Sequence, residues 1–93
     1  MIKSFRCRDT EALFTGGKVA RHLRSIAKVA LRKLDMIDYA EVLADLRVPP
    51  GNRLEPLRGD RRGQHSIRIN DQWRICFIWR PDGAYDVEIV DSH

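Results

Sequence analysis

The segment from Arg53 to Arg80 carries seven arginines, at positions 53, 58, 61, 62, 68, 74 and 80, against three acids, Glu55, Asp60 and Asp71. The use of arginine throughout is chemically informative. A guanidinium fork matches two phosphate oxygens at once and does not lose its proton at working pH. The segment therefore suits a phosphate ligand. It equally suits a solvated sheet surface laced with ion pairs, and residue types alone leave both open. Three histidines are candidates for acid–base work. His22 lies at the edge between the apolar and basic faces of a helical stretch and fits a surface role. His65 starts a strand with apolar alternates, Ile67 and Ile69, and fits a partly buried structural role. His93 is the last residue, two after Asp91. Disorder is the ordinary expectation for a terminal histidine, but a strand running directly into Asp91-Ser92-His93 can hold the tail against a sheet, where an imidazole can move a proton.

These residue types are compatible with one kind of phosphate chemistry, a metal-free nuclease. RNA carries its own nucleophile, the 2′-hydroxyl, so a protein needs only a base, an acid and cations on the pentacoordinate phosphorane. The sequence offers no HExxH, no Cys/His cluster and no carboxylate pair at ligand spacing, so metal ligands are not expected. It has no phosphate-binding loop and no GxSxG. Thr15-Gly16-Gly17-Lys18 lacks the spacing of a phosphate loop. The expectation is chemistry without metal or cofactor.

The elements that must position these groups follow from periodicity. Ile2 to Arg6 reads as a short strand, and Asp9 as the N-cap of a helix from Thr10 to Phe14 that Gly16-Gly17 ends. Lys18 to Ile37 reads as one long helix. Val19, Leu23, Ile26, Ala27, Ala30, Leu34 and Ile37 form its apolar face, and Lys18, Arg21, Arg24, Lys28 and Arg32 form a basic face roughly opposite. That basic face is either a solvated surface or an RNA-contacting one. A further short helix spans about Tyr39 to Leu46, closed by Pro49-Pro50-Gly51-Asn52. Strands follow at Arg53–Leu57, Gln64–Ile69, Trp73–Arg80 and Tyr85–Val90, joined by turns at Gly59–Gly63, Asn70-Asp71-Gln72 and Pro81-Asp82-Gly83.

In the strand from Trp73 to Arg80, alternation puts Trp73, Ile75, Phe77 and Trp79 on one face and Arg74, Cys76, Ile78 and Arg80 on the other. The aromatic face should pack on the helices, leaving the arginine face open. The predicted class is α+β, with N-terminal helices on one face of a small antiparallel sheet. Ninety-three residues fit a single domain spanning 1–93. The net charge of +4 favours a polyanionic or acidic partner. Cys7 and Cys76 are too few for a disulfide scaffold and fit reduced thiols in a cytoplasmic protein. The N-terminus lacks the apolar run of a signal peptide, and no segment approaches the ~18 apolar residues of a membrane span.

Three stretches carry a family resemblance: the opening M-I-K-S-F, the block P-P-G-N-R-L-E-P-L-R-G-D-R-R-G-Q-H-S-I-R-I-N-D-Q-W-R-I-C-F, and the ending V-E-I-V-D-S-H. The chain resembles the HigB-type killer proteins, a branch of the RelE/ParE toxin superfamily, and especially their GraT-like members. The resemblance spans essentially the whole chain. It implies a metal-independent endoribonuclease that cleaves mRNA in the ribosomal A site, leaving a 2′,3′-cyclic phosphate and a 5′-hydroxyl. It also implies a helix-turn-helix antitoxin as partner, with operator DNA bound only through the toxin–antitoxin complex. On the same basis Arg58 takes the place of a basic residue contacting the scissile phosphate, and Arg74 that of the arginine stabilising the transition state. Asp91 and His93 match the acidic residue and terminal histidine of the active site. Glu55 falls where some members have a catalytic histidine. Arg53, Arg61, Arg62 and Arg68 join the helical basic residues as candidate RNA or ribosome contacts.

Two features depart from simple transfer. Ser92 stands where many relatives have a tyrosine that stacks on or orients the RNA base. Alternation also sets Asp91 and His93 with Val87 and Ile89, whereas Arg74 lies opposite its own core face. A bulge, or a strand ending before Asp91, is expected to bring them together. A ParE-like toxin directed at DNA gyrase and a non-catalytic RNA-binding module are the alternatives to the nuclease.

Overall fold

The computed structural model describes residues 1–92. Four antiparallel strands form one sheet in sequence order: β1 (Glu55–Pro56), β2 (His65–Arg68), β3 (Trp73–Arg80) and β4 (Gly83–Asp91). Two α-helices, α1 (Arg8–Thr15) and α2 (Ala27–Tyr39), pack against one face and contact β4. The core lies between the layers. Leu13, Leu23, Ile26, Ala30, Leu34 and Ile37 meet Ile67, Ile75, Phe77, Val87 and Ile89, all buried. The aromatic face of β3 thus points to the helices, as alternation requires, and the expected α+β layering is present.

Several boundaries differ from the periodic pattern. Lys18 to Ile37 is not one helix. Arg21–Ile26 is a 3₁₀ turn, and α2 begins only at Ala27, after Ile26 takes φ −111°, ψ 0°. Leu23 and Ile26 are three residues apart. That spacing puts both on the core in a 3₁₀ turn as readily as in an α-helix, so apolar period alone does not separate the two. α2 runs on through Tyr39, and the expected helix from Tyr39 to Leu46 is replaced by a 3₁₀ turn, Leu43–Arg47. Asp45 caps that turn by accepting the amides of Glu41 (2.9 Å) and Val42 (3.2 Å). α1 starts at Arg8, so Asp9 lies in its first turn; the N-cap position is Cys7, whose side chain makes no capping bond. The strand expected over Arg53–Leu57 shrinks to Glu55–Pro56, because Arg53 sits at φ +47° and Pro56 has no amide to donate.

The N-terminal segment adds to the free edge of β4 through parallel bridges, Ile2 to Ala84 and Phe5 to Val87, rather than as the regular strand expected over Ile2–Arg6. The interruption is a bulge in β4. Cys76 pairs with Glu88 but Ile78 pairs with Tyr85, leaving one extra residue on β4, and Asp86 takes φ +52°. The Asp86 amide leaves the ladder and donates to the Ser4 hydroxyl at 2.9 Å. Beyond the bulge the buried Thr10 hydroxyl accepts the Ile89 amide at 3.0 Å, so α1 closes the rest of this edge.

One buried polar residue organises the loop that delivers β1. Asn52 is fully buried. Its amide nitrogen donates to the carbonyls of Leu46 (3.2 Å) and Val48 (3.3 Å), and its oxygen accepts from Lys33 Nζ at 2.6 Å. Burial and the neighbouring Arg32 hold the Lys33 ammonium below its ordinary pKa. Asn52→Ala strands two carbonyls and that ammonium, and should cost about 2–4 kcal/mol, read as a lowered urea midpoint at unchanged slope.

Candidate active site

The face of the sheet turned away from the helices is built by register. Glu55 pairs with Ser66, Ser66 with Cys76, and Arg68 with Arg74; across β3, Arg74 pairs with Val90 and Cys76 with Glu88. All of these therefore share the open face. Arg74 is its centre. Its Nη1 donates to Glu55 Oε1 at 3.0 Å and to the Ser66 hydroxyl at 3.5 Å. The guanidinium is thereby aimed by two side chains while remaining about one-third exposed, at 34%.

Two clefts meet at Arg74 and Ser92. The first, of about 310 Å³, is lined by Arg58, Arg61, Arg74 and Asp91, with Cys76 and Val90 among its other walls. The second, of about 360 Å³, is lined by Arg53, Glu55, Ser66, Arg68, Asn70 and Asp71 beside Arg74 and Ser92. Seven of the eight described candidates from the arginine segment and the tail thus line one connected surface: Arg53, Glu55, Arg58, Arg61, Arg68, Arg74 and Asp91. Arg62 is exposed and lines neither cleft.

Each guanidinium is differently held. Arg61 Nη1 donates to Glu88 Oε1 at 2.8 Å and to Gln64 Oε1 at 3.1 Å, and the Glu88 bond raises the Arg61 pKa further above its ordinary value. Arg6 Nε reaches the same Glu88 carboxylate at 3.9 Å. Arg68 is hydrogen-bonded to the exposed Asp71. Cys76 lies beneath Arg61 and Arg74, fully buried. Burial pushes its thiol up despite these cations, so it is no thiolate nucleophile.

The end of β4 is fastened by the turn between β2 and β3. Asn70 Oδ1 accepts the amides of Gln72 (2.9 Å) and Trp73 (2.8 Å). The Gln72 carbonyl accepts both the amide (2.6 Å) and the hydroxyl (2.7 Å) of Ser92, and Gln72 Nε2 donates to Asp91 Oδ2 at 3.0 Å. These bonds carry the tail to the rim of the first cleft. His93 lies outside the described residues.

The expected geometric conflict between Asp91 and Arg74 resolves in a third way. Pairing runs through Asp91, opposite Trp73, so the strand does not end early. The bulge exists but sits at Asp86, too far back to change the relation of Asp91 to Arg74. Asp91 reaches the cleft because it is exposed at the sheet's end, where no helix covers it.

The remaining candidates lie elsewhere. Lys18, Arg21, Arg24, Lys28 and Arg32 are all exposed and line neither cleft. They belong to the helical layer, on its side away from the core. His22 is exposed, 3.9 Å from Asp9. His65 stands on the core side, stacked on Phe77 with ring centroids 6.4 Å apart, its Nδ1 buried without a hydrogen-bond partner among the described residues. Neither histidine reaches the open face. Among the described residues no group of three or more His, Cys, Asp or Glu side chains is placed to hold a metal ion. No helix among them is long and apolar enough to cross a membrane.

Glu88, Gln72 and Ser66 escaped the sequence reasoning. Ser66 and Glu88 carried a usable signal, since each alternates with inward apolar neighbours on its strand. Gln72 carried none, because it acts mainly through its backbone carbonyl.

Comparison with known proteins agrees with this architecture. The model of the HigB-like toxin family, described as the RelE-like toxin of the type II toxin–antitoxin system HigB, matches residues 3–93. Toxin HigB-1 of Vibrio cholerae is 45% identical over 94 residues, covering 100% of this chain and 98% of that protein. Endoribonuclease HigB of Proteus vulgaris is 34% identical over 97 residues, covering all of both chains. The crystal structure of YafQ from E. coli superposes with a TM-score of 0.57 over 99% of this chain and 92% of that one, at 14% identity, a likeness of fold. The chain belongs to the HigB-like family of RelE-like toxins of type II toxin–antitoxin systems, and an antitoxin is its partner.

Proposed function

We propose that this toxin is a metal-independent endoribonuclease that cuts mRNA on the ribosome, with the cleft around Arg74 as its active site. The carrying observation is the convergence of Arg58, Arg61 and Arg74 on one cleft whose rim is the fastened end of β4. Three guanidiniums around one phosphodiester supply the charge that a phosphorane needs. The 2′-oxygen attacks phosphorus while the bond to the 5′-oxygen breaks. A base takes the 2′-hydroxyl proton and an acid protonates the departing 5′-oxygen, leaving a 2′,3′-cyclic phosphate and a 5′-hydroxyl. Arg74 and Arg58 bind the non-bridging oxygens. His93, which follows Ser92 in sequence, is assigned the proton transfer, with Asp91 orienting it. Glu55 holds Arg74 in the free protein and exchanges that contact for phosphate on binding.

The exposed cations of the helical layer, Lys18, Arg21, Arg24, Lys28 and Arg32, are assigned to ribosomal RNA, with Arg62 an additional phosphate contact. The partner antitoxin is assigned to the helix-turn-helix class. It would carry the complex to operator DNA, and the site of action would be the cytoplasm.

The test maps mRNA 5′ ends in translating extracts with the wild type and with a chain ending at Ser92. Codon-associated cuts by the wild type that disappear in the truncation support the assignment. Intact mRNA accompanied by DNA breakage turns it toward a gyrase-directed toxin. RNA retention without new ends turns it toward a binding module.

A further inference from the structure

The open face continues well past Arg74. Along β3 the outward rungs run from Arg74 through Cys76 and Ile78 to Arg80, and across from Ile78 stands Tyr85. Tyr85 is there because of the bulge. Alternation from Ile89 and Val87 would send it into the core. The single extra residue at Asp86 turns it over onto the face that carries Arg74. Its partly exposed ring is held at the hydroxyl and covered on one face by a cation, which leaves the other face for a base. The hydroxyl donates to Asp82 at 2.5 Å, and the Arg80 guanidinium lies 5.3 Å from the ring centroid. Arg74 and Ile78 are four positions apart, about 13 Å of strand, or roughly two nucleotides of stretched RNA. The Arg61–Glu88–Arg6 cluster occupies the interval.

We infer that Tyr85 is a base-stacking platform for the RNA two to three nucleotides from the cleaved bond, at the far end of a single-stranded path that begins at Arg74. The inference rests on the nuclease assignment above. Its logic is that of other single-strand binders, in which cations follow the backbone and aromatic rings take bases without choosing among them. Three cations, Arg6, Arg61 and Arg80, flank the path against two carboxylates, Glu88 between Arg6 and Arg61 and Asp82 on the Tyr85 hydroxyl. The hydroxyl bond to Asp82 fixes the ring plane in advance, reducing what is lost in ordering it. The platform stands at the opposite end of β4 from Ser92.

The experiment uses purified ribosomes holding a peptidyl-site tRNA and a short mRNA in which one abasic residue is walked along the nucleotides on both sides of the cleaved bond. The toxin is the full chain, and the half-saturating toxin concentration is read from single-turnover cleavage. In the wild type, an abasic residue two or three nucleotides from the cut should raise that concentration about tenfold, a typical loss for one stacked base. Tyr85→Leu should raise it similarly on intact mRNA and add nothing on the abasic one. Tyr85→Phe should retain most of the wild-type affinity, because stacking needs the ring and the hydroxyl only helps to order it. Indifference of the wild type to every abasic position beyond the adjacent nucleotides overturns the platform alone, as does an equal loss for Tyr85→Leu on intact and abasic mRNA. Failure of the wild type to cut intact mRNA overturns both the platform and the nuclease assignment.

Discussion

Replacing Arg74 by alanine should lower single-turnover mRNA cleavage about 10²–10³-fold while leaving the protein folded, the range seen when one donor to a developing negative charge is removed. The geometry gives the reason. Arg74 is the residue shared by the two clefts that is charged, and Glu55 and Ser66 aim it before any substrate arrives. A pre-aimed guanidinium needs no reorganisation as charge builds on phosphorus. The same partners explain why stability should hardly move. Glu55 is about half exposed and Arg74 about one-third, so solvent screens their pair, and losing it should cost at most ~1 kcal/mol. Arg74→Lys should recover only part of the rate, because an ammonium keeps the charge without the planar fork. Single-turnover rates measured beside a thermal melt check both halves.

The largest loss of stability from adding one methyl group is expected at Gly83. Its φ is +143°, and a Cβ built there falls 2.1 Å from the Met1 carbonyl oxygen. That oxygen accepts the Ala84 amide at 2.9 Å, and Lys3 returns a bond to the Ala84 carbonyl at 2.7 Å. Gly83→Ala must push the N-terminal segment off β4 or strain the turn. Strain in a sparsely populated backbone region, with loss of these bonds, should cost about 3–5 kcal/mol. For a small domain that is a large fraction of the total. Gly51, which has open space around it, is the control, and Gly51→Ala should change stability by less than ~0.5 kcal/mol. Urea denaturation of the two variants beside the wild type separates a local clash from a general intolerance of added side chains.

The sheet was legible in the sequence where a strand is buried on one side. Trp73–Arg80 shows strict alternation, and it appears in the structure with the same ends and the same faces. The arginine pattern was legible too, because a strand with one apolar face must turn its other residues to the open side. What stayed hidden depends on contacts between distant segments. The division of Arg21–Tyr39 into a 3₁₀ turn and a helix is set at Ile26, whose three-residue spacing from Leu23 suits both conformations. The bulge at Asp86 needs the Ser4 hydroxyl, 82 residues away, to receive the displaced amide. It reverses the face of Tyr85, which simple alternation places in the core. The fastening of Ser92 to the Gln72 carbonyl is a backbone contact that no residue type announces.

The central claim is that arginines around Arg74 promote attack by the RNA's own 2′-hydroxyl. It is tested most directly by replacing the single ribose 5′ of the cleaved phosphate with deoxyribose, in the presence of a chelator, and analysing the products by mass. The all-ribose mRNA should yield a 2′,3′-cyclic phosphate and a 5′-hydroxyl, and the deoxy-substituted mRNA should stay intact at that bond while binding equally well. Cleavage of the deoxy-substituted bond at an undiminished rate, or a 3′-hydroxyl and 5′-phosphate from either substrate, would contradict it.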